Sequence, residues 1–361
     1  MPVDLPNELL LAIVERVAGN NDIAACCLAS RKLLEYAQPR LWRSLWADAI
    51  EHIEPFLEAI TRGPNIARLR QYPRTLILNK WCSAEWPYAT LFCLLPNLRS
   101  VTVHEGDHFG ADQLTALGLL NELEEVVLDE IDFRGSTTLP STFFLPNLVS
   151  LSLNLLTVPA GFLEGLLNLD ILPNLQALAI AGVEELPTKR LFFPSLPTSL
   201  LDQLDVLQFA THELTLPDVA THYLSHPVPK LVAFSTSARD LVPAVQHISL
   251  PELLDEPDDE KEMLSDLAAH LSSGSSKLST IWLSPELDPD DAAYLAACEP
   301  ATAESRKAFV AACRRAGVEL HWTRYAVNVG RGGTVIESFW AYARKSREKQ
   351  REEAKKAVGG R

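Results

Sequence analysis

A leucine pattern that returns about every 25 residues constrains the fold of this chain more than any other feature. It reads L-x-x-L-x-x-L-x-L with conservative replacements, and its second leucines, which stand 25, 25, 27 and 29 residues apart, are Leu98, Leu123, Leu148, Leu175 and Leu204. The last apolar positions of each copy alternate with polar or small residues, which is typical of a short half-buried strand. Helical spacing is predicted between the copies, at 84–94, 112–120, 160–169 and 218–224.

One strand and one helix per period cannot bury their apolar faces alone, so neighbouring units must stack. The sequence therefore predicts an α/β fold in which a curved parallel sheet is backed by helices, an irregular solenoid over residues 73–330. Weaker copies extend the pattern at 76–78, 231–236, 245–250 and 278–283, and a strand is predicted at 318–322. A leucine-rich doubly wound domain is the alternative. Residues 331–361 are predicted to be a charged C-terminal tail, and from Arg344 to Arg361 it has no apolar stripe.

The first 46 residues are predicted to form a compact helical module. Pro6 suits the first turn of a helix, and an apolar face recurs at helical spacing through Leu9, Leu10, Ile13, Val14 and Val17. A break follows at 19–21, a second helix is expected after it and a third from about residue 31 to 36. A module of this size buries little apolar surface by itself, so we expect it to lean on a partner. Residues 47–72 are predicted to be a helical linker with the first solenoid turn.

Charge and cysteine usage exclude several classes of protein. The net charge of −15 disfavours a nucleic-acid or anionic-membrane binder, because those surfaces cluster lysine and arginine. Six scattered cysteines without a C-x-x-C pair predict buried free thiols. The apolar run 9–14 is short and flanked by glutamates, unlike a signal peptide or a membrane span. We therefore expect a cytoplasmic or nuclear protein, and the basic residues of the tail could serve as a nuclear-localisation patch.

Two motifs resemble catalytic signatures without their context. His104 to His108 reads H-E-x-x-H, but it follows a strand and contains Gly106, so we expect a polar loop and not a zinc-binding helix. A metalloprotease remains the alternative to test. The glycines at 330–333 match no phosphate-binding loop and predict a turn. No cofactor, metal or catalytic residue is expected.

The N-terminal module resembles the F-box. The matching segments are Leu5 to Leu10 with Ile13, Asp22-Ile23, Leu28 to Arg31, and Pro39 to Leu45. Ala29 departs from the bulkier residue that is common there. The later repeats resemble leucine-rich repeats in period and strand pattern, and the combination is similar to the fungal F-box class. The asparagine or cysteine expected after each strand is missing, because Gly106, Ile131, Leu156 and Val183 stand there.

The resemblance implies a non-enzymatic receptor of an SCF-type cullin–RING E3 ubiquitin ligase. The F-box would bind a Skp-type adaptor, and the repeats would present a protein substrate. The residues it implies at the adaptor interface are Leu5, Pro6, Leu9, Leu10, Ile13, Leu28 and Trp42. Any one of these could instead pack against the first solenoid turn, since interfaces and cores use the same apolar residues. A stand-alone repeat scaffold with a helical cap is the alternative for the whole chain.

Residues between the buried leucines should face the concave side of the sheet, because side chains alternate across a strand. This face is expected to hold the substrate, with Glu125, Asp129, Asn154 and Trp282 as the candidate residues. The two carboxylates would favour a basic residue of the target, and the tryptophan would offer an apolar anchor. Ordinary solvated strand polarity is the alternative for each of them.

Overall fold

The computed structural model describes residues 6–17, 19–47, 50–78, 88–107, 109–133, 138–186, 190–191, 196–204, 206–210, 233–235, 247–250, 257–274, 278–283 and 300–322. Its helices and strands confirm an α/β fold with a parallel sheet. By its internal contacts the chain divides into two compact units, Met1–Asn174 with Glu184–Arg190, and Leu175–Val183 with Leu191–Arg361.

In chain order the described elements are α1 (Asn7–Arg16), α2 (Asn20–Ala29), α3 (Arg31–Leu41), β1 (Ser44–Ala47), α4 (Ile50–Arg62), α5 (Ile66–Leu69), β2 (Thr75–Leu78), α6 (Tyr88–Leu94), β3 (Ser100–Asp107), α7 (Ala111–Gly118), β4 (Glu125–Asp132), β5 (Ser150–Asn154), β6 (Thr157–Pro159), α8 (Phe162–Leu166), β7 (Ala177–Ala181), β8 (Glu184–Leu186), β9 (Arg190–Leu191), α9 (Thr198–Gln203), β10 (Val206–Ala210), β11 (Ala233–Ser235), β12 (His247–Leu250), α10 (Pro257–Ser272), β13 (Thr280–Leu283), α11 (Pro300–Ala316) and β14 (Glu319–Trp322).

The first three helices form the helical module of the first unit. α3 contacts both α1 and α2, and Val14, Ile23 and Ala37 form the buried centre. Ser30 caps α3, because its hydroxyl accepts the N–H of Leu33 at 3.1 Å and so satisfies one of the free donors of the first turn. Three residues make a small core, as the length of the module predicts.

The third helix runs further than the sequence predicts. It continues from Arg31 to Leu41 and includes Pro39. A proline removes only one hydrogen bond when it lies in a last turn, so the helix ends two residues later and not at Tyr36. β1 begins at Ser44, so the predicted boundary between residues 46 and 47 falls inside the first strand of the sheet.

β1 to β5 pair in parallel, each with the next. The register places the apolar positions of successive strands side by side. Every member of the first row is at most 6% exposed: Leu45, Leu76, Val101, Val126 and Leu151. The second row lies two residues further along each strand, and its members are at most 3% exposed: Ala47, Leu78, Val103, Leu128 and Leu153. Burying a side chain of this size contributes roughly 1.5–3 kcal/mol. These rows explain why the leucine pattern has its period.

A ladder of side-chain amides precedes the strands. The side-chain amide of Asn97 donates to the carbonyl of Gln71 at 3.1 Å, and that of Asn147 donates to the carbonyl of Asn121 at 2.7 Å. Asn174 likewise reaches Pro146 at 2.7 Å. All three donors belong to Leu-Pro-Asn segments. Asparagine side chains therefore link successive strand-and-helix segments on the N-terminal side of the strands. The asparagines expected on the C-terminal side are missing.

A left-handed residue lies near the C-terminal end of β3 and of β4 and directly after β5 and β7. Glu105, Glu130 and Leu155 have φ values of 54°, 52° and 47°, and Gly182 has 56°. Behind Glu130 the chain pairs again, since the N–H of Phe133 donates to the carbonyl of Thr157 at 2.8 Å. Such backbone redirects a strand without ending it.

This redirection corrects one prediction from the sequence. The strand β3 runs to Asp107, so His104 to Asp107 lie in a strand and not in a polar loop. The positions where asparagine was expected are apolar and buried instead: Ile131 and Leu156 are 1% exposed and Val183 is 2% exposed. Beyond them, the rings of Phe109, Phe133 and Phe162 pack in sequence, with centroids 5.6 and 4.8 Å apart.

The second unit also pairs its strands in parallel. β7 pairs with β10, and β10 to β14 follow in order. The strands predicted at the weaker copies and before Trp322 are present there. α10 packs against α11, where burial raises the pKa of Cys313 to about 12, so this thiol stays protonated at neutral pH. None of the helices in the described part of the chain has the length and apolar character needed to cross a membrane.

Candidate functional site

Apolar side chains stay exposed on the helical module. Leu9 and Ile13 lie one helical turn apart on α1 and are 51% and 45% exposed, so they share a face of the helix. Leu28, in the last turn of α2, is 89% exposed. Pro6 is exposed at the N-cap of α1. Pro6, Leu9 and Ile13 follow one another at spacings of three and four residues on one side of α1, and we refer to these three as the apolar surface.

The other predicted adaptor residues lie elsewhere. Leu10 is 6% exposed, on the buried face that α1 shares with Val14. Trp42 is half-buried, and its ring lies 5.0 Å from that of Phe56 in α4. Leu5 lies outside the described residues. Helix α1 is therefore apolar on two faces, and only the face of Leu10 packs inside the chain.

A polar row crosses the strands β3, β4 and β5. Glu125 and Asp129 are four residues apart in β4, so both lie on one face. The hydroxyl of Ser100 donates to Glu125 Oε2 at 3.0 Å, and His104 Nδ1 lies 2.8 Å from Asp129 Oδ2. Asn154 is the register partner of Asp129 on the next strand. We refer to Ser100, His104, Glu125, Asp129 and Asn154 as the polar row.

The polar row has an unused hydrogen-bond acceptor. Asp129 Oδ1 is buried without a hydrogen-bond partner among the described residues; outside the row, the buried hydroxyl oxygen of the neighbouring-strand residue Ser150 is in the same situation. A buried acceptor without a partner is costly, so a donor from a bound molecule would stabilise this face. Among the described residues no group of three His, Cys, Asp or Glu side chains could hold a metal ion.

Part of the predicted face is less open than the sequence suggests. In β5, Ser150 and Ser152 are 2% and 9% exposed, and in β7, Ala177 and Ala179 are 2% and 3% exposed. These buried positions offer little surface to a bound molecule. Trp282 lies in β13 of the second unit, and its side chain is outside what the structure describes.

The sequence reasoning missed a basic cleft of about 460 Å³ in the first unit. Its charged and hydroxyl-bearing lining includes Arg40, Arg43, Arg74, Arg99, Tyr36, Tyr72 and Glu15. A signal for it was present in the sequence. An arginine precedes the first strand residue in Arg43-Ser44, Arg74-Thr75 and Arg99-Ser100, three consecutive strand starts. We refer to this site as the arginine cleft.

Comparison of the chain with family models and with curated proteins finds no match in either.

Proposed function

We propose that this chain is the substrate-recognition subunit of an SCF-type cullin–RING E3 ubiquitin ligase. The helical module would act as an F-box that binds a Skp-type adaptor. The strand-and-helix units would act as a leucine-rich-repeat-like solenoid that holds a protein target. The chain would be a receptor, and the ubiquitin-transfer chemistry would belong to its partners.

The observation that carries the proposal is the apolar surface. Leu9 and Ile13 match the F-box pattern and are half-exposed, while the adjacent Leu10 and Val14 supply the internal packing of the same helix. An isolated exposed leucine is ordinary, but a second apolar face on a module with so small a core favours a docked partner. An adaptor that covers this face would supply the burial that the module lacks.

The polar row supports the second half of the proposal. Its two carboxylates present acceptors on one face of β4, and Asp129 keeps one oxygen unpaired by hydrogen bonds within the described residues. Protein targets that carry a lysine or arginine fit this chemistry, because charge-assisted hydrogen bonds to carboxylates are the strong ones.

The test is capture of a Skp-type adaptor by the full chain and by its Leu9→Lys, Ile13→Lys double variant. Both side chains are exposed, so the fold should tolerate the change, whereas a lysine in an apolar interface leaves a charge desolvated. Loss of an anchor residue typically costs at least about 2 kcal/mol, roughly 30-fold in affinity. We expect adaptor capture to fall below detection.

Leu119→Lys is the matched control. Leu119 is 61% exposed and caps the C-terminal end of α7, outside the helical module. It should leave adaptor capture unchanged. If the double variant captures adaptor as well as Leu119→Lys does, the F-box assignment is wrong and the stand-alone scaffold takes its place.

A further inference from the structure

The arginine cleft concentrates positive charge in a chain that is acidic overall. Four guanidinium groups line it against the single carboxylate of Glu15, although the chain carries a net charge of −15. Like charges this close repel one another and destabilise the folded state. The cleft lies wholly within the first unit and is separate from the polar row.

The backbone forces three of these arginines into a stack. The N–H groups of Arg74 and Thr75 both donate to the carbonyl of Arg43, at 2.8 and 3.1 Å. Those of Arg99 and Ser100 donate to the carbonyl of Arg74 in the same way, at 2.7 and 3.0 Å. Parallel strands lie about 4.8 Å apart, so Arg43 and Arg99 are separated by about 10 Å at the backbone.

Contacts inside the chain leave much of this charge uncompensated. Arg40 donates to the carbonyl of Val14, and Arg74 donates to the carbonyl of Asn97 at 3.0 Å; these carbonyls carry no net charge. Within the described residues, Arg99 is the one of these four arginines that forms ion pairs, at 3.1 Å with Glu122 and 3.5 Å with Glu124, and both pairs are about half-exposed. Exposed pairs of this kind contribute little.

A second observation points to a ligand. The hydroxyl oxygen of Tyr72 is buried and has no hydrogen-bond partner among the described residues, and Tyr72 lines the same cleft. A buried hydroxyl without a partner is costly. An anion bound in the cleft would accept a hydrogen bond from the Tyr72 hydroxyl as well as from the guanidinium groups of the arginines.

We propose that the arginine cleft binds a small anionic ligand that carries at least two phosphate groups. Arginine forks match phosphate oxygens in a bidentate geometry, and the cleft volume of about 460 Å³ suits a small molecule. The backbones of Arg43 and Arg99 are about 10 Å apart, a span that two linked phosphates match better than one. The lining comes from α1, α3 and the segments before the strands, and none of its residues belongs to the apolar surface or to the polar row.

The experiment titrates the full chain with tripolyphosphate and measures both heat of binding and melting temperature. Sodium sulfate at equal ionic strength is the control for general salt effects. We expect saturable one-to-one binding that raises the melting temperature. Absence of any shift beyond the sulfate control at about 1 mM tripolyphosphate would overturn the proposal.

Three variants locate the site. Arg43 is exposed, so Arg43→Gln should keep the fold and lower the affinity about tenfold or more. Tyr72→Phe keeps the ring, removes the hydroxyl and should lower the affinity a few-fold. Arg62→Gln removes an equal charge from the exposed last turn of α4 and should change nothing.

Equal losses in Arg43→Gln and Arg62→Gln would show diffuse electrostatic attraction and overturn the assignment of a built site. A doubly phosphorylated peptide and vesicles of anionic lipid are titrated into the full chain in the same way. Binding to either of these without binding to tripolyphosphate would also overturn the proposal, in favour of a peptide or a membrane.

Discussion

Left-handed backbone occurs at two kinds of position in the first unit, and glycine occupies only one kind. Gly161, the N-cap of α8, has a φ of 72°, whereas Glu105 within β3, Glu130 within β4 and Leu155 directly after β5 are the left-handed residues of the strands. A side chain in this conformation costs roughly 1–2 kcal/mol per residue. The pairing on both sides of the three non-glycine residues must offset that cost.

Gly161 offers a clean measurement of this cost. A methyl group there would meet only Glu164 Oε2, at 3.9 Å, so space is no obstacle to Gly161→Ala. We expect the variant to lower the free energy of unfolding by about 1 kcal/mol through backbone strain.

Gly110→Ala is the matched control. Gly110 is also an N-cap, of α7, but its φ is −126°, and a methyl group would meet Gln113 Oε1 at 3.5 Å, an ordinary contact. Both variants lose the glycine that an N-cap prefers over alanine, so chemical denaturation should show the smaller loss for Gly110→Ala, which adds no left-handed strain. Equal losses in both variants would mean that the left-handed conformation is not the cause.

At the scale of elements, the amide ladder in front of the strands carries a prediction. Asn147→Ala removes the hydrogen bond to the carbonyl of Asn121. Because Asn147 is exposed and water can reach the carbonyl, we expect a loss of only about 0.5–1 kcal/mol.

Asn121→Ala truncates the same type of side chain but keeps the accepting carbonyl, so it serves as the control in the same denaturation experiment. The account requires Asn147→Ala to be the less stable of the two. The reverse order would show that the amide ladder does not contribute to stacking.

The strands were the most predictable elements, because their period is set by rows of buried side chains that the sequence displays directly. Leu98, Leu123, Leu148, Leu175 and Leu204 are all at most 1% exposed. The ends of β3 and β4 were not predictable in this way. They depend on left-handed residues such as Glu105 and Glu130, and glutamate gives no local signal for that conformation.

At the scale of the whole molecule, charge is divided among separate surfaces. The polar row presents carboxylates, and the arginine cleft gathers guanidinium groups. The strand alternation identified Glu125, Asp129 and Asn154 on one face. It did not point to the arginine cleft, because Arg43, Arg74 and Arg99 lie 31 and 25 residues apart and only the pairing of strand starts brings them together.

The role of the polar row is tested by charge reversal. Glu125→Lys with Asp129→Lys should abolish capture of basic target proteins, because each carboxylate becomes a like charge opposite the basic group of the target. The measurement is quantitative mass spectrometry of cross-linked partners, normalised to the adaptor that co-purifies.

Asp112→Lys with Glu164→Lys is the control, since it changes the same charge on exposed positions of the helices α7 and α8. Target capture should stay at the wild-type level in this control. Equal capture by both double variants, with adaptor binding intact, would move the target site away from the polar row.

The central claim is that the helical module docks a Skp-type adaptor through apolar contacts, and titration calorimetry of the full chain with the purified adaptor tests it most directly. The account predicts a one-to-one complex with a dissociation constant below about 1 μM. It also predicts a negative heat-capacity change, because binding buries apolar surface. No heat of binding at about 100 μM adaptor, from a chain whose circular dichroism shows it folded, would contradict the claim.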